Sequence, residues 1–431
     1  MRARTAAAVA TFLALAVLPG AADGGWKIKP GKTRAVTVPD GGPSAAQHFS
    51  RFPAISDHGR YLAFMTDVPE LIGANPNGIS QIVVLDRKLG TTSLVTERKF
   101  GGPTTEYPAF PVRITGDGHY VVFYTEATDL VDGFDLIDDN DGHDVFRTHV
   151  ETGDTVRVSQ THDFKLADKG CFLPAVSADG RFVVYQSLAT NLVPGTAPSF
   201  TQIYVRDMSA NTVERVSVSP IGEPADSSCH ISKMSADGRF VVYSSSADNL
   251  SEHDTDFTPQ IWLRDRDLGV NELISVSDSG QAANGTCEFP VISGAGRYVA
   301  YRTTATNLPG APQEFSLELY VRDRKKGKSH RLKVKGESVH YAQAESFSAG
   351  RYLTATVHYH DMKPARAVVF DVKKLKMTHV GVASDGKKGN ADTIDAVISG
   401  DGKTVAFASK ATNLGKDGDA FLDVFVRRWK K

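Results

Sequence analysis

Hydrophobic residues occur along this chain in short runs, and turn-forming residues end each run. The run Phe-Val-Val-Tyr at 182–185 is apolar at consecutive positions, as expected for a strand buried on both faces. An Asp-Gly turn precedes it and an Ala-Val-Ser run precedes the turn, which together predict a tight hairpin. The pattern therefore predicts a β protein built from short antiparallel strands.

This hairpin pattern repeats along the chain. Its clearest copies, Ser-Ala-Asp-Gly-Arg-Phe-Val-Val-Tyr, lie at 177–185 and 235–243, and variants occur at five other places. The turn glycines are Gly59, Gly118, Gly180, Gly238, Gly296, Gly350 and Gly402. Their spacing of 52 to 62 residues gives seven units, which fill the chain from residue 23 to residue 431.

Each unit has room for four strands. After the hairpin, runs such as Ile-Tyr-Val-Arg-Asp at 203–207 predict a third strand, and runs such as 214–218 predict a fourth. The seventh unit ends after its third strand, and the segment 33–38 resembles the missing fourth. Four-stranded units around an axis are propeller blades. The fold is therefore predicted to be all-β, a single seven-bladed β-propeller of four-stranded antiparallel blades at residues 23–431, closed by the N-terminal strand.

The pattern resembles the TolB-like, WD-repeat-like β-propellers found in exported bacterial proteins. Three motifs carry the resemblance: the Ser-Ala-Asp-Gly-Arg turn, the Ala-Thr-Asn-Leu segment at 189–192 and the Tyr-Val-Arg-Asp strand at 204–207. The resemblance covers the chain from residue 23 onward, and it is specific for architecture and weak for activity. Such propellers serve as binding platforms, as accessory domains and occasionally as enzyme scaffolds.

Residues 1–22 are predicted to be a secretory signal peptide. Arg2 and Arg4 form a positive start, an apolar stretch follows at 6–18, and small residues at 20–22 suit cleavage. The stretch is shorter than the ~20 residues that a membrane-spanning helix needs. We therefore expect an exported protein, periplasmic or extracellular, without a membrane span; an uncleaved anchor helix is the alternative.

Composition narrows the class of partner. The chain has 49 lysines and arginines against 50 acidic residues, so its net charge of −1 gives no general attraction to nucleic acid or to an anionic membrane. The expected partner is a protein or an envelope polysaccharide, bound by a monomer.

An acidic segment in the second unit is a candidate Ca²⁺ site. Asp138, Asp139, Asn140, Asp141 and Asp144 cluster on a glycine-containing loop, and hard oxygen ligands of this kind suit Ca²⁺. The spacing does not match an EF-hand loop, and a solvated acidic loop is the alternative. No other cofactor is expected.

Three cysteines occupy equivalent positions in adjacent units. Cys171, Cys229 and Cys287 are spaced 58 residues apart, at the start of the predicted first strand. In an exported protein an odd number of cysteines allows one disulfide between neighbours and one free thiol. Three buried small residues, or a thiolate metal site with His230, are the alternatives.

Polar residues that recur from blade to blade are predicted to hold the scaffold. One set is the turn aspartate, expected to cap its turn: Asp57, Asp117, Asp179, Asp237 and Asp401. The other set directly precedes the third strand: Gln81, Asp144, Gln202, Gln260, Glu318, Arg366 and Asp423. Functional residues are therefore sought where one blade departs from the others.

Units five and six depart from the others in two places. Eight cations crowd the segment 322–335, where a solvated rim is the alternative to a binding surface. Unit six replaces the Ala-Thr-Asn-Leu segment with His358-Tyr359-His360-Asp361, and histidines at i and i+2 on a strand point the same way. Two interpretations of this segment are left open. It contacts a metal or a glycan, or the blade has drifted without function.

The chain carries no recognisable catalytic motif. It lacks a Gly-x-Ser-x-Gly nucleophile elbow, a His-Glu-x-x-His zinc motif and a complete phosphate-binding loop. The predicted function is an exported non-catalytic scaffold that binds a protein or a cell-envelope glycan. The alternative is a propeller-fold carbohydrate-active lyase or hydrolase with its site at the channel mouth. Convergent acidic, His or Arg side chains from several blades would favour that alternative.

Overall fold

Seven antiparallel sheets account for nearly all of the regular structure. The structure, a computed structural model, describes residues 16–17, 28–37, 48–72, 78–98, 101–104, 110–131, 142–252, 255–312, 316–334, 339–360, 362–415 and 421–429. The inner strands of successive sheets contact one another in a closed ring, from the first sheet around to the seventh and back. The predicted seven-bladed propeller of four-stranded blades is confirmed.

Each blade contains an inner, a second, a third and an outer strand. The inner strands are Ser50–Ile55, Phe110–Ile114, Cys171–Val176, Cys229–Met234, Cys287–Ile292, Val339–Phe347 and Thr393–Ile398. The second strands are Tyr61–Thr66, Tyr120–Thr125, Phe182–Ser187, Phe240–Ser245, Tyr298–Thr303, Tyr352–Tyr359 and Thr404–Ser409. The third strands are Gln81–Asp86, Asp144–His149, Gln202–Asp207, Gln260–Asp265, Glu318–Asp323, Arg366–Asp371 and Asp423–Arg428. The outer strands of blades 1–6 are Thr91–Leu94, Thr155–Arg157, Thr212–Arg215, Val270–Leu273, Lys328–Arg331 and Lys376–His379.

Two short elements lie outside this pattern. The helix Pro69–Ile72 follows the second strand of blade 1, and the two-residue strand Ala16–Val17 pairs with the outer strand of the same blade. No helix within the described ranges is long and apolar enough to cross a membrane.

Blade 7 takes its outer strand from the other end of the chain. Thr33–Ala35 pairs antiparallel with Asp423–Arg428, and Thr33 lies opposite Arg427. The Thr33 hydroxyl also donates a hydrogen bond of 2.6 Å to the carbonyl oxygen of Val382, in the loop after the outer strand of blade 6. The predicted closure by the N-terminal strand is confirmed.

A ring of six backbone hydrogen bonds joins neighbouring blades where the inner strands end, at every boundary except that between blades 5 and 6. In each bond an amide N–H of one blade donates to a carbonyl oxygen of the next, at 2.8–2.9 Å. The donor and acceptor residues are Asp57 to Gly116, Gly116 to Ala178, Ala178 to Ala236, Ala236 to Gly294, Ala349 to Gly400 and Asp401 to Asp57. Because buried backbone groups must find partners, this ring fixes the distance between successive blades.

Most turn aspartates cap their hairpins as predicted. Asp179 accepts a hydrogen bond from the Ser177 hydroxyl at 2.6 Å and another from the Arg181 amide at 3.0 Å. The same two contacts recur in three other blades, at Asp117, Asp237 and Asp401.

The prediction for Asp57 is wrong. Blade 1 reads Ser-Asp-His-Gly at 56–59, which places Asp57 one residue earlier, at the position of Ala178. Its carboxylate instead lies against Gly116 and Gly400, at the end of the inner strands, where a Cβ on either glycine would collide with it.

An arginine–aspartate pair connects the hairpin to the third strand. In blade 3 the Arg181 guanidinium binds both carboxylate oxygens of Asp207, with a closest distance of 2.7 Å, and lies 4.6 Å from the ring centre of Phe182. The arrangement recurs in blades 1, 4, 5 and 6. Two of the sequence motifs are therefore halves of one contact, the charge-assisted kind that is strongest in proteins.

The turn glycine lets neighbouring blades pack closely. Gly180 has a φ of 74°, in the left-handed region, and a Cβ there would come within 2.7 Å of the Tyr120 ring of blade 2. Backbone conformation and available space both require glycine at this position.

The second recurring polar residue begins the third strand and does not precede it. Gln202 accepts a hydrogen bond from the Ser217 hydroxyl at 2.7 Å and donates one to the carbonyl oxygen of Ala225 at 3.0 Å. Gln81 and Gln260 make the equivalent bonds in blades 1 and 4. These side chains hold the loop after the outer strand, so the predicted scaffold role is confirmed in these blades.

Deletion of residues 23–40 is expected to lower the melting temperature of the propeller by about 5 °C or more. The deletion removes the pairing of Thr33–Ala35 and exposes the edge of Asp423–Arg428. Calorimetry on the truncated and intact chains measures the effect. Thr33→Val, which loses only the hydroxyl contacts, should give a smaller decrease. An unchanged transition after the deletion would refute this role for the N-terminal strand.

Candidate functional site

The inner strands surround a central channel. We call the end at which these strands begin the front face, and the end at which they reach the Asp-Gly turns the turn face. The backbone hydrogen-bond ring lies at the turn face. Two adjoining cavities of about 350 and 170 Å³ occupy the channel. Arg113, Gln343 and Glu345 line both cavities, so the two meet at these residues.

A bulge interrupts the inner strands at one recurring point. The third residue of the strand has a φ of 50–54° in five blades, at Phe52, Leu173, Ile231, Phe289 and Asp395. Residues with a Cβ rarely adopt this conformation. The strand pairing shifts register at the same point, and these five residues line the cavities. The bulge therefore determines what the channel presents to a ligand.

Five charged side chains from five blades meet in the channel, and we call them the channel cluster: Arg51, Arg113, Lys233, Glu345 and Asp395. Arg51 Nε lies 3.5 Å from Asp395 Oδ2. Among the residues that the structure describes, Arg113, Lys233 and Glu345 have no oppositely charged atom within 4.0 Å. The cluster thus holds one ion pair and three further ionisable groups that line the cavities.

Burial shifts the pKa values of the channel cluster toward the neutral forms. Burial and the nearby Asp395 raise the pKa of Glu345 to about 8, against the opposing effect of Arg113. Burial and the like charge of Arg113 lower the pKa of Lys233 to about 7. Burial also lowers the pKa of Arg113 and raises that of Asp395. Two groups in one cavity therefore change protonation near neutral pH.

Blade 6 extends its inner hairpin at the front face. Its inner strand has 9 residues and its second strand 8, whereas the same strands of the other blades have 5 or 6. The extension carries His340, Tyr341 and His358, and His360 follows directly. Blades 2 and 3 carry another group of rings in mutual contact, Tyr124, His143 and Phe172.

We call the side chains of blades 5 and 6 at the front face the front cluster: Glu288, Phe289, Arg302, Tyr341 and His358. Arg302 Nη2 lies 3.1 Å from Glu288 Oε2. Its guanidinium is 4.5 Å from the ring centre of Phe289 and 5.3 Å from that of Tyr341. Tyr341 stacks on His358 with 4.4 Å between ring centres and 17° between planes. Arg302 thus contacts two aromatic rings and one carboxylate at the mouth of the channel.

Two histidines at the mouth are uncharged at neutral pH. Burial lowers the pKa of His358, and Asp392 opposes this effect. Burial also lowers the pKa of His230 in blade 4, and Glu288 of the front cluster opposes it. An uncharged imidazole can both donate and accept a hydrogen bond.

The two histidines predicted from unit six do not act together. His358 stacks on Tyr341, whereas the His360 ring lies 4.8 Å from the ring centre of His340. In the described ranges no group of three or more His, Cys, Asp or Glu side chains is placed to hold a metal ion. A ligand contact through His358 remains a prediction.

The three cysteines are free and buried, and the predicted disulfide among them is not formed in the structure. Each thiol donates to a hydroxyl of its own blade, at 3.3 Å for Cys171 to Ser187, with Cys229 and Cys287 placed equivalently. Blades 1 and 7 carry Ser50 and Thr393 at this position. The position therefore holds a small side chain in a tight space between blades.

The acidic loop lies outside the described residues, apart from Asp144. Asp138, Asp139, Asn140 and Asp141 are therefore left as a predicted Ca²⁺ site. Asp144 is buried at the start of its third strand, where it forms an ion pair with Arg157 and accepts a hydrogen bond from Ser159 at 2.5 Å. This is the scaffold role of the glutamines in other blades.

The basic segment of blade 5 is compensated by acids. Arg324 forms an ion pair with Glu272 at 2.6 Å, and Lys328 with Asp278 at 2.9 Å, both across the boundary with blade 4. Arg331 forms an ion pair with Glu318 of its own blade at 2.6 Å. The segment therefore ties two blades together, as the solvated-rim interpretation expects.

Comparisons with known proteins agree on the fold. No protein-family model and no curated protein matches this chain. An oligogalacturonate lyase solved in complex with manganese has a TM-score of 0.54 at 13% identity, over 89% of this chain and 90% of that one. A prolyl endopeptidase has a TM-score of 0.55 at 12% identity, over 89% of this chain and 51% of that one. TolB from Acinetobacter baumannii has a TM-score of 0.42 at 12% identity, over 79% of this chain and 65% of that one. The propeller fold expected from the motifs is thus also found in the lyase and the endopeptidase.

All three cysteines are expected to be unreactive toward a thiol reagent in the native protein. Burial raises the pKa of each thiol, to about 12 for Cys229 and Cys287, so almost no reactive thiolate is present. Thiol titration under non-reducing conditions should count none in the folded protein and three after denaturation. A count of one after denaturation would instead show a disulfide.

A chelator is expected to lower the melting temperature if the acidic loop binds Ca²⁺. Thermal unfolding in Ca²⁺ and in excess chelator gives the comparison. Asp139→Asn with Asp141→Asn should abolish the difference. Identical melting curves in Ca²⁺ and in chelator would contradict the predicted Ca²⁺ site.

Proposed function

We propose that this protein is an exported, non-catalytic scaffold that binds a glycan chain of the cell envelope at the front mouth of its channel. The observation that supports it is the front cluster, in which Arg302 lies over both Phe289 and Tyr341. Small-molecule sites in general combine flat apolar surfaces with a few fixed polar groups. The front cluster has both, and Phe289 also lines the smaller channel cavity.

A glycan suits this mouth better than a folded protein does. A sugar ring offers an apolar C–H face and a rim of hydroxyl groups, which match an aromatic face and fixed donors and acceptors. Glu288 and Arg302 are already paired, so hydroxyls can bind without leaving a charge unpaired. His358 and His230 add uncharged rings at the same mouth. The single propeller is proposed to act as a monomer.

Tyr341→Ala and Arg302→Ala are each expected to weaken glycan binding about tenfold or more, since the first removes an aromatic face and the second removes the guanidinium that contacts Phe289 and Tyr341. Affinity is measured by calorimetry with soluble envelope oligosaccharides. Phe164→Ala is the matched control, because Phe164 is an exposed aromatic residue of a loop before blade 3, 60% accessible. Wild-type affinity in both mouth variants would contradict the proposal.

The second candidate is a carbohydrate-active lyase or hydrolase, and the channel cluster favours it. Lys233 and Glu345 have pKa values near neutrality, where general acid–base groups work best. Structures with this fold include an oligogalacturonate lyase and a prolyl endopeptidase. Turnover of envelope polysaccharides by the intact chain, lost in Glu345→Gln, would establish this function and displace the scaffold.

A further inference from the structure

We propose that the middle of the channel is a second binding site, which takes the carboxylate group of a small organic anion between Arg113 and Lys233. The site goes beyond the proposed glycan mouth. Its charged side chains are not those of the front cluster, although Phe289 belongs to both, and it stands whether or not the front cluster binds a sugar.

Arg113 and Lys233 occupy one equivalent position, which we call the slot. The slot residue of the inner strand pairs with the third residue of the second strand, Val122 for Arg113 and Val242 for Lys233. The other five blades carry small or aliphatic residues in the slot: Ala54, Ala175, Val291, Ser346 and Val397. Since five blades fold without a charge there, the two cations are not needed by the scaffold.

Neither slot cation is neutralised by the protein. Arg113 donates to the carbonyl oxygen of its neighbour Val112 at 2.8 Å, and Lys233 lies 3.4 Å from the carbonyl oxygen of its neighbour Ser232. Within the described ranges no carboxylate oxygen comes within 4.0 Å of either. Enclosed charges without a counter-ion are costly, and a bound anion offsets that cost.

Glu345 forms part of the site and does not neutralise its positive charge. It lines both cavities with Arg113 and, at neutral pH, it is mostly protonated because burial and Asp395 raise its pKa to about 8. A protonated carboxyl donates a hydrogen bond to a ligand oxygen. With Arg51 paired to Asp395, the cluster carries net positive charge while Glu345 is protonated.

The volume of the cavity limits the size of the ligand group that can enter it. The cavity lined by Arg113, Lys233 and Glu345 has about 170 Å³, room for about six water molecules at ~30 Å³ each. Leu173, Ile231 and Phe289 give it an apolar wall. A single anionic group fits this space, and the planar guanidinium of Arg113 matches the two oxygens of a carboxylate.

Binding should weaken as pH rises. Lys233 loses its charge above its pKa of about 7 and Glu345 gains a negative charge above about 8, so both changes remove positive charge from the site. The other ionisable groups that line the cavities are Asp395, which is paired with Arg51, and Asp57. Of these, the Arg51–Asp395 pair is internally compensated, and Asp57 lies at the turn face. Affinity is therefore expected to fall at least about tenfold between pH 6.5 and pH 9.

The test is calorimetry on residues 23–431 with acetate, glucuronate and inorganic phosphate as probes. Acetate and glucuronate should bind at pH 6.5, and phosphate should bind at least about tenfold more weakly. Lys233→Ala and Lys233→Val install residues that other blades carry in the slot, and each should reduce carboxylate affinity about tenfold. Lys165→Ala, in an exposed loop, removes the same charge and should change nothing. Glu345→Gln should retain binding at pH 6.5 and show a shallower pH dependence.

The outcomes separate this site from the front mouth. Tyr341→Ala should leave acetate affinity unchanged even where glycan binding is lost. The Lys233 variants should melt no lower than the wild type, because they remove an uncompensated charge. Absence of carboxylate binding at pH 6.5, wild-type affinity in both Lys233 variants, or equal affinity for phosphate would each overturn the assignment.

Discussion

Seven sheets enclose a channel only if the last is held to the first, and backbone hydrogen bonds supply that constraint here. The ring at the turn face passes through the residue after each turn-opening Ser or Thr, with a one-residue shift at blade 7, and it joins all neighbouring blades except 5 and 6. Pairing of Thr33–Ala35 with Asp423–Arg428 closes the ring at its outer edge. Because main-chain atoms make these contacts, side chains facing the channel are free to differ.

The sequence motifs predicted the fold because each motif encodes a contact that every blade needs. Arg181 and Asp207, drawn from two separate motifs, meet in one ion pair, and Gly180 admits the neighbouring Tyr120 ring. Because such residues recur from blade to blade, they could be recognised in the sequence before their contacts in the structure were known. Asp57 shows the limit of this reasoning. A shift of one residue in the turn moved its carboxylate from a cap to the end of the channel.

The candidate site was only partly predictable. His358 was recognisable because a motif was replaced, but its stacking partner Tyr341 depends on the longer hairpin of blade 6. Arg113, Lys233 and Glu345 passed unnoticed, since no local motif marks them and the blades that bring them together are far apart in sequence. Comparing the inner strands position by position would have found the two slot cations. The bulge that aims Asp395 into the channel has no such signature, because Phe, Leu and Ile adopt it equally.

The slot gives this architecture a particular evolutionary freedom. Six of the seven slot residues line the channel cavities, and four of those six are alanine, valine or serine. In blades 2 and 4 this place holds a charged residue, and it pairs with the second strand as its equivalents do in the other blades. Propellers with this scaffold can therefore differ in the ligands that they bind while their blades keep the same structure. In this protein the ligand specificity of the channel depends on the slot residue of each blade.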